Sequence, residues 1–219
     1  MGRRRVRLTF DCNDTDAFSV IMTMNRSADA ELAGATEVSG FAQDIDAMTL
    51  ARAQRGDMAA FAVLYTRFGR ACYGLALRLV GNAPQAEDLV QEVFLKLIET
   101  IRGFRGDAPF GAWLKRMTVN AAIDQLRGRK RFAEVDPDEM FGQLAATDAM
   151  PMQSIDAWTL LQQLPPRARA VVVLHELEGY THAELAALFR QSESYSKSIL
   201  ARALQRLHAY VAPATGQPT

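Results

Sequence analysis

The stretch that decides the fold is Pro84–Ile101, PQAEDLVQEVFLKLIETI, which has the periodicity of one amphipathic helix. Its apolar residues recur at three- and four-residue steps: Val90, Val93, Phe94, Leu97 and Ile101. Residues at these separations lie on the same face of a helix, so the stripe is expected to pack inward. Proline suits the first helical position, because its missing N–H would have no partner there. The spacing predicts a core helix from Pro84 to about Ile101.

The same period continues on both sides of this stretch. Upstream, apolar residues recur from Phe61 to Leu79 behind a candidate N-cap, Asp57, and Gly81-Asn82 ends the helix. Downstream, a loop rich in Gly, Asp and Pro leads to a third helix. No segment alternates as a strand does, so the sequence predicts an all-α chain. Its later helices are expected at 110–129, 154–164, 166–177, 181–189 and about 193–211.

A break in the periodicity divides the chain. Residues 132–153 carry Pro137, Gly142 and Pro151 and most of a run of acids, which is typical of a flexible linker. The sequence therefore predicts two small helical domains joined by an acidic linker. The expected divisions are a disordered N-terminal extension at 1–46, a first domain at 47–131, the linker at 132–153, a second domain at 154–211 and a tail at 212–219.

Composition excludes several classes of protein. The chain has 219 residues, 49% of them hydrophobic, yet no apolar run approaches the roughly 20 residues that a membrane span requires. Arg3, Arg4 and Arg5 could open a signal peptide, but aspartates interrupt the following segment, so export is not expected. The two cysteines, Cys12 and Cys72, lie far apart in sequence, which argues against a disulfide scaffold and against a metal knuckle. These features favour a cytoplasmic location.

The histidines do not form a recognisable catalytic or metal-binding set. His175, His182 and His208 are the only three, and no cysteine or paired carboxylate accompanies them in sequence. Surface histidines are the simplest interpretation. We therefore expect no cofactor, no metal and no enzymatic activity.

The net charge hides a marked local asymmetry. Lys and Arg number 25, equal to Asp and Glu, but residues 115–131 contain six basic side chains and one acid. Residues 132–158 then contain six acids and no Lys or Arg. A phosphate backbone responds to the local block rather than to the total. The block is a candidate nucleic-acid surface, although a solvated helix end would have the same composition.

Two helix faces could carry function. Asp88, Gln91, Glu92 and Leu95 share the side of the 84–101 helix opposite its apolar stripe, which favours docking on a basic partner or is simply a solvated face. In the 110–129 helix, an amide lies among cations on one face. Asn can pair with base edges, and Arg can hold phosphates. This face comprises Arg116, Asn120, Asp124, Arg127 and Arg131.

The C-terminal helices have the outline of a helix-turn-helix. Thr181 and Glu184 form a capping box, Gln191-Ser192 makes the turn, and a longer helix follows. The outer face of that helix carries polar and basic side chains, although many helical hairpins share this outline.

Aromatic residues near the third helix allow either base stacking or core packing, and Trp113 is the main example.

Taken together, these motifs resemble bacterial RNA polymerase sigma factors of the extracytoplasmic-function (ECF) group, over roughly residues 47–211. The resemblance is carried by 86–97 (AEDLVQEVFLKL), by 110–114 (FGAWL) with Asn120 and 124–127 (DQLR), and by 164–167 (LPPR) with 176–181 (ELEGYT) and 184–186 (ELA). In the last helix the family's usual Thr-Val pair and Arg are absent. Tyr195, Ser196 and Ile199 stand in their places.

The resemblance implies a role for each surface. It implies a sigma factor that directs promoter-specific initiation and DNA melting, with core RNA polymerase (clamp helices and flap region) and promoter DNA as partners and an anti-sigma factor as a further candidate. Core polymerase would bind Asp88, Gln91, Glu92 and Leu95. The −10 element would meet Arg105, Asp107, Trp113, Arg116, Asn120, Arg127, Arg129, Lys130 and Arg131. The −35 element would meet Ser192, Ser194, Tyr195, Lys197, Ser198 and Arg202.

One alternative from another class fits the altered last helix. A sigma mimic that sequesters a regulatory partner would not need to read DNA. It would, however, leave the basic block and Asn120 without a role. A plain helix-turn-helix repressor is a second alternative, and it would not need the first domain.

Overall fold

The computed structural model describes residues 40–128 and 157–211, and every regular element in these ranges is helical. The prediction of an all-α chain is confirmed. The α-helices are α1 (Ala47–Gln54), α2 (Met58–Val80), α3 (Ala83–Thr100), α4 (Phe110–Gly128), α5 (Ala157–Gln162), α6 (Pro166–Val172), α7 (His182–Phe189) and α8 (Glu193–Val211). Short 3-10 turns occupy Gly40–Ala42 and Ile101–Gly103, and a π-helical turn, Val173–Leu177, continues α6.

Side-chain caps fix where the helices begin. Asp57 Oδ1 accepts from the backbone N–H of Ala59 at 2.9 Å, which confirms it as the N-cap of α2. Asn82 Oδ1 accepts from Gln85 N at 3.1 Å and caps α3 in the same way. Thr181 and Glu184 form the predicted capping box of α7. Local hydrogen bonds therefore explain why these boundaries could be read from the sequence.

The folded part begins before the predicted boundary at residue 46. Phe41 is only 7% exposed, and a Cβ atom at Gly111 would overlap the backbone oxygen of Phe41. Gly111 is therefore needed where the Gly40–Ala42 turn meets α4. One buried aromatic produces no periodicity, so the helical pattern of the sequence did not indicate this turn. Residues 1–39, the linker at 132–153 and the tail at 212–219 lie outside the described ranges.

The chain divides into two compact units. The first is Met1–Ala71 with Phe94–Trp113, and the second is Cys72–Val93 with Leu114–Thr219. In the first unit the ring centroids of Phe68 and Phe110 lie 5.4 Å apart in an edge arrangement, typical of a packed aromatic core. The units do not coincide with the two predicted domains, whose boundaries remain a prediction.

The second unit contains a close approach at the end of α2. Gly81 has φ +74°, and a Cβ atom there would overlap the guanidinium of Arg169. Arg169 Nη2 donates to the backbone oxygen of Val80 at 2.8 Å. Glycine is therefore required both for the backbone conformation and for the space that Arg169 fills. This contact joins the end of α2 to α6.

A buried acid provides another polar contact in the second unit. The Glu178 side chain is 6% exposed and lies 3.0 Å from Arg78 Nη2 and 2.6 Å from Lys115 Nζ. Its charge is thus paired with two cations, as burial of a carboxylate requires.

Elsewhere in this unit Cys72 is fully buried beside the hydroxyl of Thr118, and burial raises the pKa of its thiol to about 12. The thiol is therefore a packing group.

Candidate polymerase and promoter interfaces

The predicted polymerase-binding face lies on α3. Asp88 and Glu92 are exposed, and Gln91 is half-buried. Leu95 is 49% exposed, one of several large apolar side chains that face solvent in the described part of the chain. The helix begins at Ala83, so Asp88 and Leu95 are both well inside it. An exposed leucine among carboxylates suits a protein partner that offers an apolar contact within a basic surface.

The loop between α3 and α4 presents two of the predicted −10 residues. Arg105 and Asp107 are exposed on either side of Gly106. Gln54, at the end of α1, donates through Nε2 to the backbone oxygens of Phe104 at 2.9 Å and Ile101 at 3.4 Å. This amide anchors the base of the loop. Sequence reasoning missed Gln54, because no local pattern links it to a loop nearly fifty residues away.

Trp113 belongs to an aromatic cluster in the first unit. Its ring centroid lies 5.3 Å from that of Phe104 and 5.9 Å from that of Phe110. Phe110 is buried, whereas Trp113 is half-buried. The packing interpretation of Trp113 is therefore correct for part of its surface. The exposed remainder is available for the stacking role that the resemblance implies.

The cationic face of α4 is accessible in the second unit. Arg116 and Asn120 are exposed. Arg127 is half-buried, and its Nη1 lies 2.9 Å from Asp124 Oδ1, one turn earlier on the helix. Asp124 therefore orients Arg127 and partly neutralises it. The other predicted phosphate-binding residues, Arg129, Lys130 and Arg131, lie outside the described ranges.

The turn between α7 and α8 is tightly determined. Arg190, the C-cap of α7, adopts the left-handed conformation with φ 54°, which is uncommon for a residue with a side chain. Its backbone N–H donates to Ala187 O at 3.4 Å. Ser192 Oγ accepts from Tyr195 N at 3.1 Å and caps α8. The predicted helix-turn-helix outline corresponds to this capped arrangement.

The predicted −35 residues differ in what they contact. Ser192 and Ser194 are exposed, and Ser198 and Arg202 are half-buried. Lys197 Nζ is exposed and lies 3.7 Å from Glu193, one turn earlier. Tyr195 is half-buried, and its hydroxyl accepts a hydrogen bond from Arg167 Nη1 at 2.5 Å. Fewer of the predicted −35 residues are therefore fully exposed than the resemblance implies.

His182, one of two stacked histidines, contacts the start of α8, which the sequence did not reveal. The rings of His175 and His182 stack at 4.5 Å between centroids, and His182 Nδ1 lies 3.0 Å from Ser196 Oγ. Loss of hydration and then the charge of His175 lower the pKa of His182. Among the described residues no group of three or more His, Cys, Asp or Glu side chains could hold a metal ion.

Comparison with protein families matches two consecutive segments. Sigma-70 region 2 matches residues 64–132, and Sigma-70 region 4 matches residues 155–207. Both matches follow the order in which the polymerase-binding, −10 and −35 motifs were predicted. The region 2 match extends to residue 132, beyond the described residues at the end of α4.

Relatives of known name match most of the chain. RNA polymerase sigma-H factor of Pseudomonas aeruginosa is 31% identical over 185 residues, covering 78% of this chain and 96% of the relative. ECF RNA polymerase sigma factor SigM of Mycobacterium tuberculosis is 33% identical over 162 residues, covering 74% and 82%. The solved structure of CnrH in complex with the cytosolic domain of CnrY is 26% identical, covers 74% of this chain and 94% of that chain, and has a TM-score of 0.44.

The two family matches and the alignment of about three quarters of the chain with named relatives define a class of protein, the sigma subunits of bacterial RNA polymerase. Within it, the chain belongs to the ECF sigma factor family. It therefore binds core RNA polymerase and directs promoter-specific transcription initiation. Of the helices that the structure describes, none combines the length and apolar character that crossing a bilayer would require.

Proposed function

We propose that this ECF sigma factor divides its task among three surfaces, on α3, on α4 with the preceding loop, and on α8. The observation that carries this assignment is the order of the two family matches together with the charge of the exposed side chains within them. At the start of α8 the exposed Lys197 is paired with the exposed Glu193. Acidic side chains face solvent on α3, whereas a basic and an amide side chain, Arg116 and Asn120, face solvent on α4. Negative charge on α3 would complement a basic polymerase surface, and positive charge on α4 would complement the phosphates of DNA.

Core polymerase binds α3 in this proposal, through Asp88, Gln91, Glu92 and Leu95. The exposed carboxylates supply electrostatic complementarity to a basic clamp surface, and Leu95 supplies apolar area. The flap region of core polymerase would engage the second predicted domain. The charged contacts would mainly speed and orient association, whereas the leucine would contribute to affinity.

The −10 element binds α4 and its preceding loop. Asn120 is exposed and can offer both an acceptor and a donor to a base edge. Arg116, Arg127, Arg129, Lys130 and Arg131 would hold phosphates, and Arg105, Asp107 and Trp113 would capture an unstacked base. The free amide of Asn120 distinguishes this proposal from a sigma mimic, which would have no use for base recognition.

The −35 element binds the outer face of α8, where Ser194 and Lys197 are exposed and Ser198 is half-buried. Ser192 acts through its cap, and Arg202 extends the same side of the helix. These side chains would enter the major groove in the manner of a recognition helix. We further propose that the protein acts in the cytoplasm as a non-enzymatic subunit. An anti-sigma factor is a candidate regulator.

Transcription in vitro with core RNA polymerase on a genomic promoter library tests the assignment. The unmodified chain should yield RNA from a set of promoters that share −10 and −35 sequences. Glu92→Lys should weaken co-purification with core polymerase, whereas Asp44→Lys, an equal charge reversal at another exposed acid, should not. Equal core binding by the two variants would contradict the role of α3, and the absence of shared promoter elements would contradict the roles of α4 and α8.

A further inference from the structure

The first two turns of α8 present different side chains to the protein and to solvent. Ile199 is fully buried, Ser196 is 3% exposed and Tyr195 is half-buried. Ser194 and Lys197, on the other side, are exposed. The three inward residues are among the positions at which the chain departs from the usual family pattern. Their side chains bear on how α8 is held against the rest of the second unit.

Arg167 is the side chain that holds Tyr195. It lies near the start of α6 and is 5% exposed. Its Nη1 donates to the Tyr195 hydroxyl at 2.5 Å, and its guanidinium carbon lies 5.3 Å from the centroid of the Tyr195 ring. Arg167 therefore contacts Tyr195 both by a hydrogen bond and through the ring, and both contacts constrain the first turn of α8.

The same guanidinium also reaches the end of α7. Its central carbon lies 6.0 Å from the ring centroid of Phe189, the last residue of that helix and itself buried. One planar group thus contacts the helices on both sides of the turn that contains Arg190. Lysine could not reproduce these contacts, because an ammonium group lacks the planar fork that donates and stacks at the same time.

We propose that Arg167 and Tyr195 form a positioning pair that sets the orientation in which α8 presents Ser194, Lys197 and Ser198 to the −35 element. Tyr195 acts through Arg167 in this assignment, and it does not itself read a base. Arg167 is buried, so its effect on promoter choice passes through the helices that it contacts, α7 and α8. The inference rests on the proposed function of α8 as the −35 recognition helix.

A double-mutant cycle with holoenzyme tests the pair. Tyr195→Phe removes only the hydroxyl, Arg167→Lys keeps the charge, and the third variant combines them. Tyr195→Phe should reduce discrimination between the preferred −35 sequence and its single-mismatch variants by about fivefold, the worth of one net hydrogen bond. Arg167→Lys should reduce it by at least as much, because the ring contacts are lost as well. The combined variant should lose no more than Arg167→Lys alone, because the hydrogen bond that Tyr195→Phe removes is already broken.

Three further measurements separate positioning from other roles. The salt dependence of promoter binding should be unchanged in both single variants, since no phosphate contact is lost, but it should flatten in Lys197→Ala. Tyr65→Phe, which removes a hydroxyl in the first unit, should leave the −35 preference intact. Thermal unfolding of each variant measures how much stability the changes remove.

Several outcomes would overturn the pairing. Additive losses, or a Tyr195→Phe loss confined to one −35 base while Arg167→Lys is neutral, would show that Tyr195 contacts DNA itself. An equal loss on preferred and mismatched promoters, in step with a lower thermal midpoint, would show that Arg167 only stabilises the fold. Failure of the proposed function is distinguishable, because Lys197→Ala would then also leave the −35 preference and salt dependence unchanged.

Discussion

Protonation of a single histidine, His182, is coupled to the stability of the helix-turn-helix. The ring of His182 stacks on that of His175, and its Nδ1 lies near the hydroxyl of Ser196 on α8. His175 and Lys197 disfavour a charged His182, whereas Glu193 and Glu176 favour it, and loss of hydration outweighs each of these effects. The lowered pKa means that the unfolded chain binds a proton more readily than the folded one. Acidification should therefore loosen the contact that the histidine makes with α8.

We accordingly predict that stability falls as the pH drops through about 6.5, the ordinary histidine value, and that it is fully present above it. The thermal midpoint should decline as the pH is lowered below about 6.5, where the unfolded chain takes up a proton on His182 more readily than the folded chain does. His182→Gln should have a flatter profile over this range, because an amide can still bond to Ser196 but does not titrate. Identical slopes for the two proteins would assign the pH dependence to other groups.

Asn120 is the side chain that we expect to read a base of the −10 element. Its side chain is exposed on a cationic face, where phosphate binding alone would favour Lys or Arg. Asn120→Ala should relax discrimination at one −10 position by about 1–3 kcal/mol. Arg127→Ala should instead weaken binding evenly across sequences and flatten the salt dependence. A panel of −10 promoter variants at two salt concentrations measures both. A uniform loss with Asn120→Ala would show that the base is read elsewhere.

At the scale of elements, the Gly40–Ala42 turn is part of the fold although it has no helical pattern. Phe41 is buried, Arg67 donates to the backbone oxygen of Asp44, and Asp46 Oδ1 accepts from Thr49 N at 2.7 Å to cap α1. A short segment held by one aromatic and two polar contacts stabilises the entry to α1 and the start of α4. Removal of this segment should therefore affect both helices.

A chain that begins at Gly40 should keep the thermal midpoint of the full chain, because residues 1–39 show no periodicity. A chain that begins at Met48 should be less stable. Loss of the buried Phe41 side chain alone removes about 2 kcal/mol. Thermal unfolding of the three proteins side by side measures the difference. Equal midpoints for the two shortened chains would mean that the turn contributes no net stability.

The helices were predictable from sequence, and the contacts between them were not. The helices around Val90 and Leu64 were found because side-chain period and caps act within a few residues. Gln54 holding the loop at Phe104, and Arg167 holding Tyr195, depend on the tertiary arrangement and leave no local pattern. The same holds for Phe41 at Gly111. The exposed charges of the candidate site were predictable, whereas the residues that orient them required the structure.

At the scale of the whole molecule, charge is neutral in sum but sharply divided along the chain. The acids of α3 and the cations of α4 each face solvent, where they can meet different partners. Glu178 is an exception, because it is buried and paired with Arg78 of α2 and Lys115 of α4. These pairs join residues of the region 2 match to a residue of the region 4 match within the second unit. The stability of that unit should depend on this carboxylate.

Glu178→Gln should therefore destabilise the free chain. It leaves two cations without their counter-charge, although Arg78 at 38% and Lys115 at 22% side-chain exposure retain some hydration. We expect a loss of about 2 kcal/mol, below the ~3–5 kcal/mol for a fully buried pair that loses one partner. Glu176→Gln, two residues away, provides the matched control, because its carboxylate is exposed and contacts only His175 at 3.0 Å among the ion pairs described. Denaturant unfolding of the three proteins at neutral pH measures the difference. If both substitutions lowered stability equally, the effect would be one of net charge, and the ion pairs of Glu178 would contribute nothing specific to the fold.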